Sequence, residues 1–230
     1  MPTIAFASPK GGAGKTTAAL ILATEIAKKG AAVTLIDADP NRPVTDWARL
    51  PGRPANLTVV SDVTEETIIE EIEAADRACP FVIIDLEGTA SIAVAYAISR
   101  ADLVIVPTQG SQLDAKQAGR AIRLIKQQEK AFKRDIPHAI LFTRTSAVIR
   151  PRTLRHVQEQ FEKHAVDVFE TQLIERDAFR ALFSFGGTLD SLRPGEVSNL
   201  MAAIINARAF AREVVAKLER QAPQAIAEVA

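Results

Sequence analysis

The chain has 230 residues, and its 28 basic and 28 acidic side chains cancel. A hydrophobic fraction of 47% and a charged fraction of 24% are typical of a soluble globular protein. The neutral balance excludes a global basic field, so any nucleic-acid site must be a local patch. The single Cys79 excludes an internal disulfide and a multi-cysteine metal site.

Two sequence features bear on the expected cellular location of the protein. No stretch reaches the roughly 18 consecutive apolar residues that a membrane-spanning helix needs. The first residues also lack a basic segment followed by an apolar one, which is the pattern of a secretory leader. We therefore expect a cytoplasmic protein with no stable membrane insertion.

Strand-like and helix-like segments alternate along the chain, which predicts an α/β fold: a mostly parallel, twisted sheet with helices on both faces. About seven strands are predicted, at residues 3–8, 32–37, 57–60, 81–85, 102–107, 138–143 and 165–170. Helices are predicted at residues 15–29, 64–78, 114–134, 151–163 and 195–220. We predict a single domain over residues 1–220 and a frayed C-terminal tail over residues 221–230.

A glycine-rich turn lies between the first predicted strand and the first predicted helix, which is the context of a phosphate-binding loop. Backbone N–H groups in such a turn face phosphate oxygens, and the helix N-terminus adds positive potential. Lys15 would bind the outer phosphates, and the Thr16 hydroxyl would ligate Mg²⁺. The predicted nucleotide contacts are Gly11, Gly12, Ala13, Gly14, Lys15, Thr16 and Thr17. The usual motif has glycine where this chain has Lys10, so a second lysine needs an explanation.

Acidic residues follow two of the apolar strands. Asp37 and Asp39 end one strand, and Asp85 ends another. The carboxyl ends of parallel strands face the ligand crevice, so these carboxylates are expected near the phosphates. One carboxylate must hold the metal and one must orient the attacking water. The alternative for Asp39 is that it only caps the turn before Pro40.

These motifs together resemble the ParA/MinD family of ATPases, which have a deviant Walker A motif with an early lysine. The resemblance covers essentially the whole chain and rests on KGGAGKTT, DADPN, the IID strand end and ADLVIVP. Within the family the chain looks most like short ParA-type partition proteins and a related ATPase of conjugative DNA transfer. The stretches DADPNRPVTDWA, VPTQGSQLD and ERDAFR carry that closer similarity.

The resemblance implies a role for each lysine and aspartate. Lys10 would reach the nucleotide of a second subunit, so that ATP forms part of a homodimer interface. Lys15 would bind the phosphates, and Asp39 would position the lytic water. Thr16, Asp37 and Asp85 would support the metal.

The resemblance also implies other features of the site. Arg176 and Phe179 lie where relatives place part of the adenine-binding wall, although Phe179 fits the hydrophobic core equally well. Glu87 stands where the family has a proline-rich switch; it is either a second water-orienting carboxylate or a solvated residue. The chain begins directly on the first strand, without the helix-turn-helix extension of longer relatives, so sequence-specific repression is not expected.

Three local basic clusters remain despite the neutral net charge. They lie in residues 116–134, in residues 144–155 and on the last predicted helix. Solvated helix faces are one interpretation; a surface that binds DNA phosphates without reading bases is the other. We predict DNA contacts from the last cluster with help from the second, namely Arg208, Arg212, Lys217, Arg150 and Arg152.

The leading functional prediction is a dimerising, weakly active ATPase that uses ATP and Mg²⁺. It would bind DNA nonspecifically, associate with the nucleoid when ATP-bound, and segregate or transfer DNA with a small ParB-like or relaxosome-type partner. The alternative is a ParA-like ATPase that positions a protein complex at a pole or membrane. Related iron–sulfur reductases need cysteine ligands that this chain lacks, whereas a ligase such as dethiobiotin synthetase is compatible with the loop alone.

Overall fold

The computed structural model describes residues 1–89, 91–147 and 152–227, with only the backbone described for residues 222–227. Within these ranges the strands are β1 (Thr3–Phe6), β2 (Val33–Ala38), β3 (Leu57–Val60), β4 (Phe81–Leu86), β5 (Leu103–Thr108), β6 (His138–Thr145), β7 (Asp167–Val168) and β8 (Leu173–Ile174). The helices are α1 (Lys15–Lys28), α2 (Pro43–Arg49), α3 (Ile68–Ala78), α4 (Ile92–Arg100), α5 (Gln112–Phe132), α6 (Arg152–Lys163), α7 (Asp177–Phe185) and α8 (Leu200–Ala227). A short 3-10 helix covers Leu189–Ser191.

The strands form one parallel sheet in the order β3-β2-β4-β1-β5-β6-β7, and β8 also pairs with β6. The predicted α/β class and all seven predicted strands are confirmed. The strand order reverses around β1, which lies between β4 and β5. The carboxyl end of β1 is therefore at a crevice where ligands of parallel sheets bind.

Helices cover both faces of the sheet because side chains alternate along each strand. In β1, Ile4 and Phe6 face one hydrophobic core, whereas Ala5 faces the other. The first core is completed by α1, α2, α7 and α8. The second core is completed by α3, α4, α5 and α6. These two layers fix the sheet edge that carries the predicted site.

Three helices are present that the sequence patterns did not indicate. Helix α2 has seven residues, and α4 and α7 have nine each. Segments this short show too few turns for a clear helical period. Strand β8 was also missed, because its two residues show no alternation.

Helix α8 differs from its predicted bounds at both ends. It begins at Leu200 instead of residue 195, because Asn199 takes a left-handed backbone conformation with φ of 51°. It continues to Ala227, so part of the tail that was predicted to fray is helical; residues 228–230 lie outside the described residues.

Within the described ranges, no helix is both long and apolar enough to cross a bilayer.

The turn after α7 provides a test of the packing between α2 and α7. Gly186 has a φ of +77°, and a Cβ atom there would lie 2.5 Å from the Leu50 Cβ and 2.7 Å from the Pro51 carbonyl oxygen. We predict that Gly186→Ala lowers the free energy of unfolding by about 2–4 kcal/mol through backbone strain and overpacking. Gly195→Ala is the matched control, since no heavy atom lies within 4 Å of its Cβ position. Urea unfolding measures both variants, and equal midpoints would contradict the prediction.

Candidate functional site

The glycine-rich loop joins β1 to α1, and other strand ends hold it in place. Gly14 precedes α1 with a φ of 88°, and Lys15 is the first residue of the helix. The Thr143 hydroxyl at the end of β6 donates a 2.7 Å hydrogen bond to the Ala13 carbonyl. The Gln109 amide after β5 donates to the Gly12 carbonyl at 3.1 Å. These contacts hold the loop against the ends of the neighbouring strands.

A cavity of about 560 Å³ opens above this loop. Most of the predicted nucleotide-site residues line it: Gly11, Gly12, Gly14, Lys15, Thr16, Thr17, Asp39, Arg176 and Phe179. Phe179 is also 5% exposed, so it belongs to both the cavity wall and the core. Three predicted residues lie beneath the lining surface, namely Ala13, Asp37 and Asp85. The structure thus brings the phosphate loop and the predicted adenine wall together.

Asp37 and Asp85 are side by side in the sheet. They occupy paired positions in the register of β2 and β4, and both are buried. One Asp37 oxygen accepts two 2.7 Å hydrogen bonds from Thr45, one from its N–H and one from its hydroxyl. Among the described residues, no donor meets hydrogen-bond geometry at the other Asp37 oxygen or at either Asp85 oxygen, although the Thr16 hydroxyl is close enough to Asp85 to affect its pKa. Buried carboxylate oxygens without donors fit a cation site.

Burial makes these carboxylates hard to ionise without a cation. It raises the pKa of Asp85 to about 7, although the Thr16 hydroxyl and the Lys15 ammonium act in the opposite direction. It also raises the pKa of Asp37, and the Thr45 hydrogen bonds only partly offset this effect. A divalent cation would favour the ionised forms of both groups.

Lys15 is 6% exposed, which is unusual for an ammonium group. Burial lowers its pKa, and the negative charges of Asp85, Asp39 and Glu87 act against that shift. The surrounding carboxylates therefore favour the charged form of this lysine. A polyphosphate in the cavity would add negative charge beside it and stabilise the ammonium form.

Lys10 has a different environment. Its Nζ donates a 2.6 Å hydrogen bond to an Asp114 carboxylate oxygen, and the Ser111 hydroxyl donates to the other. Burial alone would raise the pKa of Asp114, but the hydrogen bonds from Lys10 and Ser111 outweigh it and lower the pKa. Lys10 itself is exposed and does not line the cavity. In the single chain, therefore, this lysine is held by its own subunit.

Two residues of the predicted DNA surface on α8 are engaged within the chain. Arg208 donates to Asp190 at 3.1 Å and lies 3.8 Å from the buried Glu25 carboxylate. Lys217 donates to Asp167 at 2.6 Å, and its side chain is only 11% exposed. Their role in DNA binding stays a prediction, but both side chains would have to leave acidic partners to reach a phosphate.

Of the remaining predicted DNA contacts, two lie in the described residues and both are exposed. Arg212 is exposed on α8, where its Nε donates to the Arg208 carbonyl at 3.3 Å. Arg152 is exposed at the start of α6. Arg150 lies outside the described residues.

Several residues that shape the site were missed by the sequence analysis. Thr143 follows the same rule as the predicted aspartates, since it lies near the carboxyl end of a strand. The pair of Ser111 and Asp114 has the spacing of a helix cap, which would have indicated the start of α5. Thr45 follows the DADPN stretch, but only the fold shows that it reaches Asp37.

A phosphate loop at the carboxyl edge of a parallel sheet, above buried carboxylates from two neighbouring strands, defines the P-loop nucleotide-binding class. Residues 1–220 match the family model described as VirC1 protein. The chain belongs to this family, and the predicted resemblance to the ParA/MinD group is confirmed by the relatives that it matches.

Three of these relatives illustrate the range of similarity. The chain is 44% identical over 218 residues to Protein ParA of Rhizobium radiobacter, covering 95% of this chain and 98% of that protein. It is 26% identical over 182 residues to maintenance of carboxysome distribution protein A of Halothiobacillus neapolitanus, covering 77% and 82%. An ATP complex of a McdA variant from Cyanothece superposes with a TM-score of 0.73 at 16% identity, covering 93% and 96%. The last comparison supports the fold.

Gly88, in the segment after β4, tests how closely that segment packs against the phosphate loop. A Cβ atom there would lie 3.1 Å from the Gly11 nitrogen and 3.3 Å from the Lys10 carbonyl carbon. We predict that Gly88→Ala displaces the loop slightly and weakens ATP binding roughly tenfold, or about 1.4 kcal/mol. Gly119→Ala is the control, since its Cβ position meets no heavy atom within 4 Å. Calorimetric titration compares them, and equal ATP affinities would refute the prediction.

Proposed function

We propose that this protein is an ATPase that dimerises on Mg-ATP, binds DNA without sequence preference and acts in DNA partition or transfer. The observation that carries the proposal is the phosphate loop with two lysines, placed above buried Asp37 and Asp85. The 44% identity to Protein ParA supports the partition role. The protein would act in the cytoplasm and associate with the nucleoid in its ATP state.

Each site residue has a distinct task in this proposal. Lys15 and the loop N–H groups bind the phosphates, while Thr16, Asp37 and Asp85 hold Mg²⁺ directly or through water. The metal supplies positive charge at the phosphoryl oxygens. Asp39 lines the cavity and orients the attacking water. Arg176 and Phe179 contribute to the adenine wall.

Lys10 provides the switch between monomer and dimer. In a face-to-face dimer, two triphosphates come close together in a site from which water is largely excluded, so each needs an additional cation. A lysine on a flexible stem can supply that cation from the opposite subunit. Its contact with Asp114 would then be exchanged for a contact with the partner's nucleotide. ADP lacks the γ-phosphate, so it would favour the monomer. A small ParB-like or relaxosome-type partner would stimulate hydrolysis.

A role in protein positioning is the second candidate, favoured by the similarity to the carboxysome distribution protein. The two roles differ in cargo. Deleting the gene should raise the loss rate of the DNA molecule that carries it if partition is correct. Clustering of a protein complex without DNA loss would favour the positioning role.

The division of labour between Lys15 and Asp39 is directly testable. Lys15→Ala removes the main cation of a buried phosphate site, so ATP affinity should fall by roughly 100-fold or more. Asp39→Ala should bind ATP within about threefold of the parent but hydrolyse it on the order of 100-fold more slowly. Fluorescent-nucleotide titration and phosphate release measure the two quantities. Equal losses of ATP affinity in both variants would overturn these assignments.

The intersubunit role of Lys10 makes a separate prediction. Lys10→Ala should keep ATP affinity within about threefold, but lose ATP-induced dimerisation, because the dimer then lacks the cation in trans. Light scattering with a slowly hydrolysed ATP analogue measures the dimer. Lys29→Ala is the matched control, since Lys29 is an exposed lysine at the end of α1. If Lys10→Ala dimerises as readily as Lys29→Ala, the proposed switch is wrong.

A further inference from the structure

Helix α5 carries a row of cations that the predicted DNA surface did not include. Lys116, Arg120 and Arg123 are spaced by four and three residues, which places them on one helix face. We call these three residues the α5 stripe. All three are exposed, and among the described residues none forms an ion pair with an acid. Arg120 donates only to the neutral Gln117 amide oxygen, at 3.2 Å.

The α5 stripe borders a groove of about 610 Å³ between α5 and α6. From α6 and the turn after it, the groove is lined by the polar or apolar side chains of Gln160, Phe161, His164 and Val166. No aspartate or glutamate is among the described residues that line it. The groove therefore presents cations without competing carboxylates, which suits a polyanion.

Two of the three α8 cations in the predicted DNA surface are less available to phosphates than the α5 stripe. Arg208 and Lys217 already contact carboxylates, so a phosphate would have to compete with those acids. Among the described residues, no aspartate or glutamate forms an ion pair with the α5 stripe. We propose that the α5 stripe and its groove form the surface that contacts DNA phosphates; this inference rests on the DNA binding proposed above.

The length of the α5 stripe can be compared with the spacing of phosphate charges along a DNA duplex. Lys116 and Arg123 are seven residues apart, or roughly 10 Å along a helix. A duplex carries about six phosphate charges over that length. Three mobile cations can match several of these charges, but contacts to phosphates alone carry no sequence information. Binding should be sequence-blind for that reason.

The same helix is connected to the phosphate loop. Asp114 in the first turn of α5 accepts the hydrogen bond from Lys10, and Ser111 caps that turn. When Lys10 leaves Asp114 for a partner's nucleotide, the N-terminal turn of α5 loses its contact with the phosphate loop. The α5 stripe is thus on a helix whose first turn senses the nucleotide state.

The test removes two cations from each helix and compares DNA affinity in the ATP-analogue state. Lys116→Ala with Arg123→Ala is the stripe variant; Arg120 is kept because it also borders a small cavity beside Ser8 and Pro9. Arg212→Ala with Arg220→Ala is the competing α8 variant, since Arg212 belongs to the predicted DNA surface and both arginines are exposed on α8. Fluorescence anisotropy with two duplexes of unrelated sequence, over a range of salt, gives the affinity. Light scattering checks that both variants still dimerise.

The stripe variant should lose affinity by on the order of 10- to 100-fold near 0.1 M salt, equally for both duplexes, and its salt slope should become shallower by about 1.8 for each stripe that contacts the duplex. The α8 variant should change by less than about threefold. A loss confined to the α8 variant would overturn this inference but leave the proposed function intact. No DNA binding by the parent chain would overturn the proposed function itself. Stripe-dependent binding to phosphatidylglycerol vesicles with unchanged DNA binding would instead make the groove a membrane site.

Discussion

The attraction between the buried Lys15 ammonium and the carboxylates beneath it is the constraint on which the site depends. Lys15, Asp37 and Asp85 are all buried at one edge of the sheet, where isolated charges are costly. Burial shifts the pKa of each group toward its neutral form. Opposite charges partly counteract this shift for Lys15 and Asp85, and hydrogen bonds from Thr45 do so for Asp37. Three carboxylate oxygens have no donor with hydrogen-bond geometry among the described residues, which fits a cation site.

The parallel sheet creates this arrangement because it places strand ends side by side. Asp37 and Asp85 are far apart in the chain but paired in the register of β2 and β4. Thr143 on β6 reaches the phosphate loop from the other side of β1. The two hydrophobic layers hold these strands in register, so the geometry of the site follows from the packing of the whole domain.

Charge is balanced overall, but the cations are not equally available. Some, such as Arg208 and Lys217, connect α8 to acids elsewhere in the chain and contribute to its packing. Lys10 is held by Asp114 in a contact that another anion could replace. The stripe on α5 has no acidic partner among the described residues. The number of basic residues therefore says little about ligand binding. What separates structural cations from candidate ligand-binding cations is whether each one already has an acidic partner.

The sequence alone determined the phosphate loop, the strands and the aspartates at strand ends, because each depends on local pattern and chain order. Lys15, Thr16 and Asp39 were found in this way, and the structure places them at the cavity. Short helices such as α2 and α4 were missed because they span too few turns to show a period. Only the tertiary structure decided that Lys10 contacts Asp114 and that Arg208 and Lys217 on α8 are paired, since those partners are distant in the chain. The sequence specifies which side chains carry a charge, whereas the packing of the domain determines which of them form ion pairs.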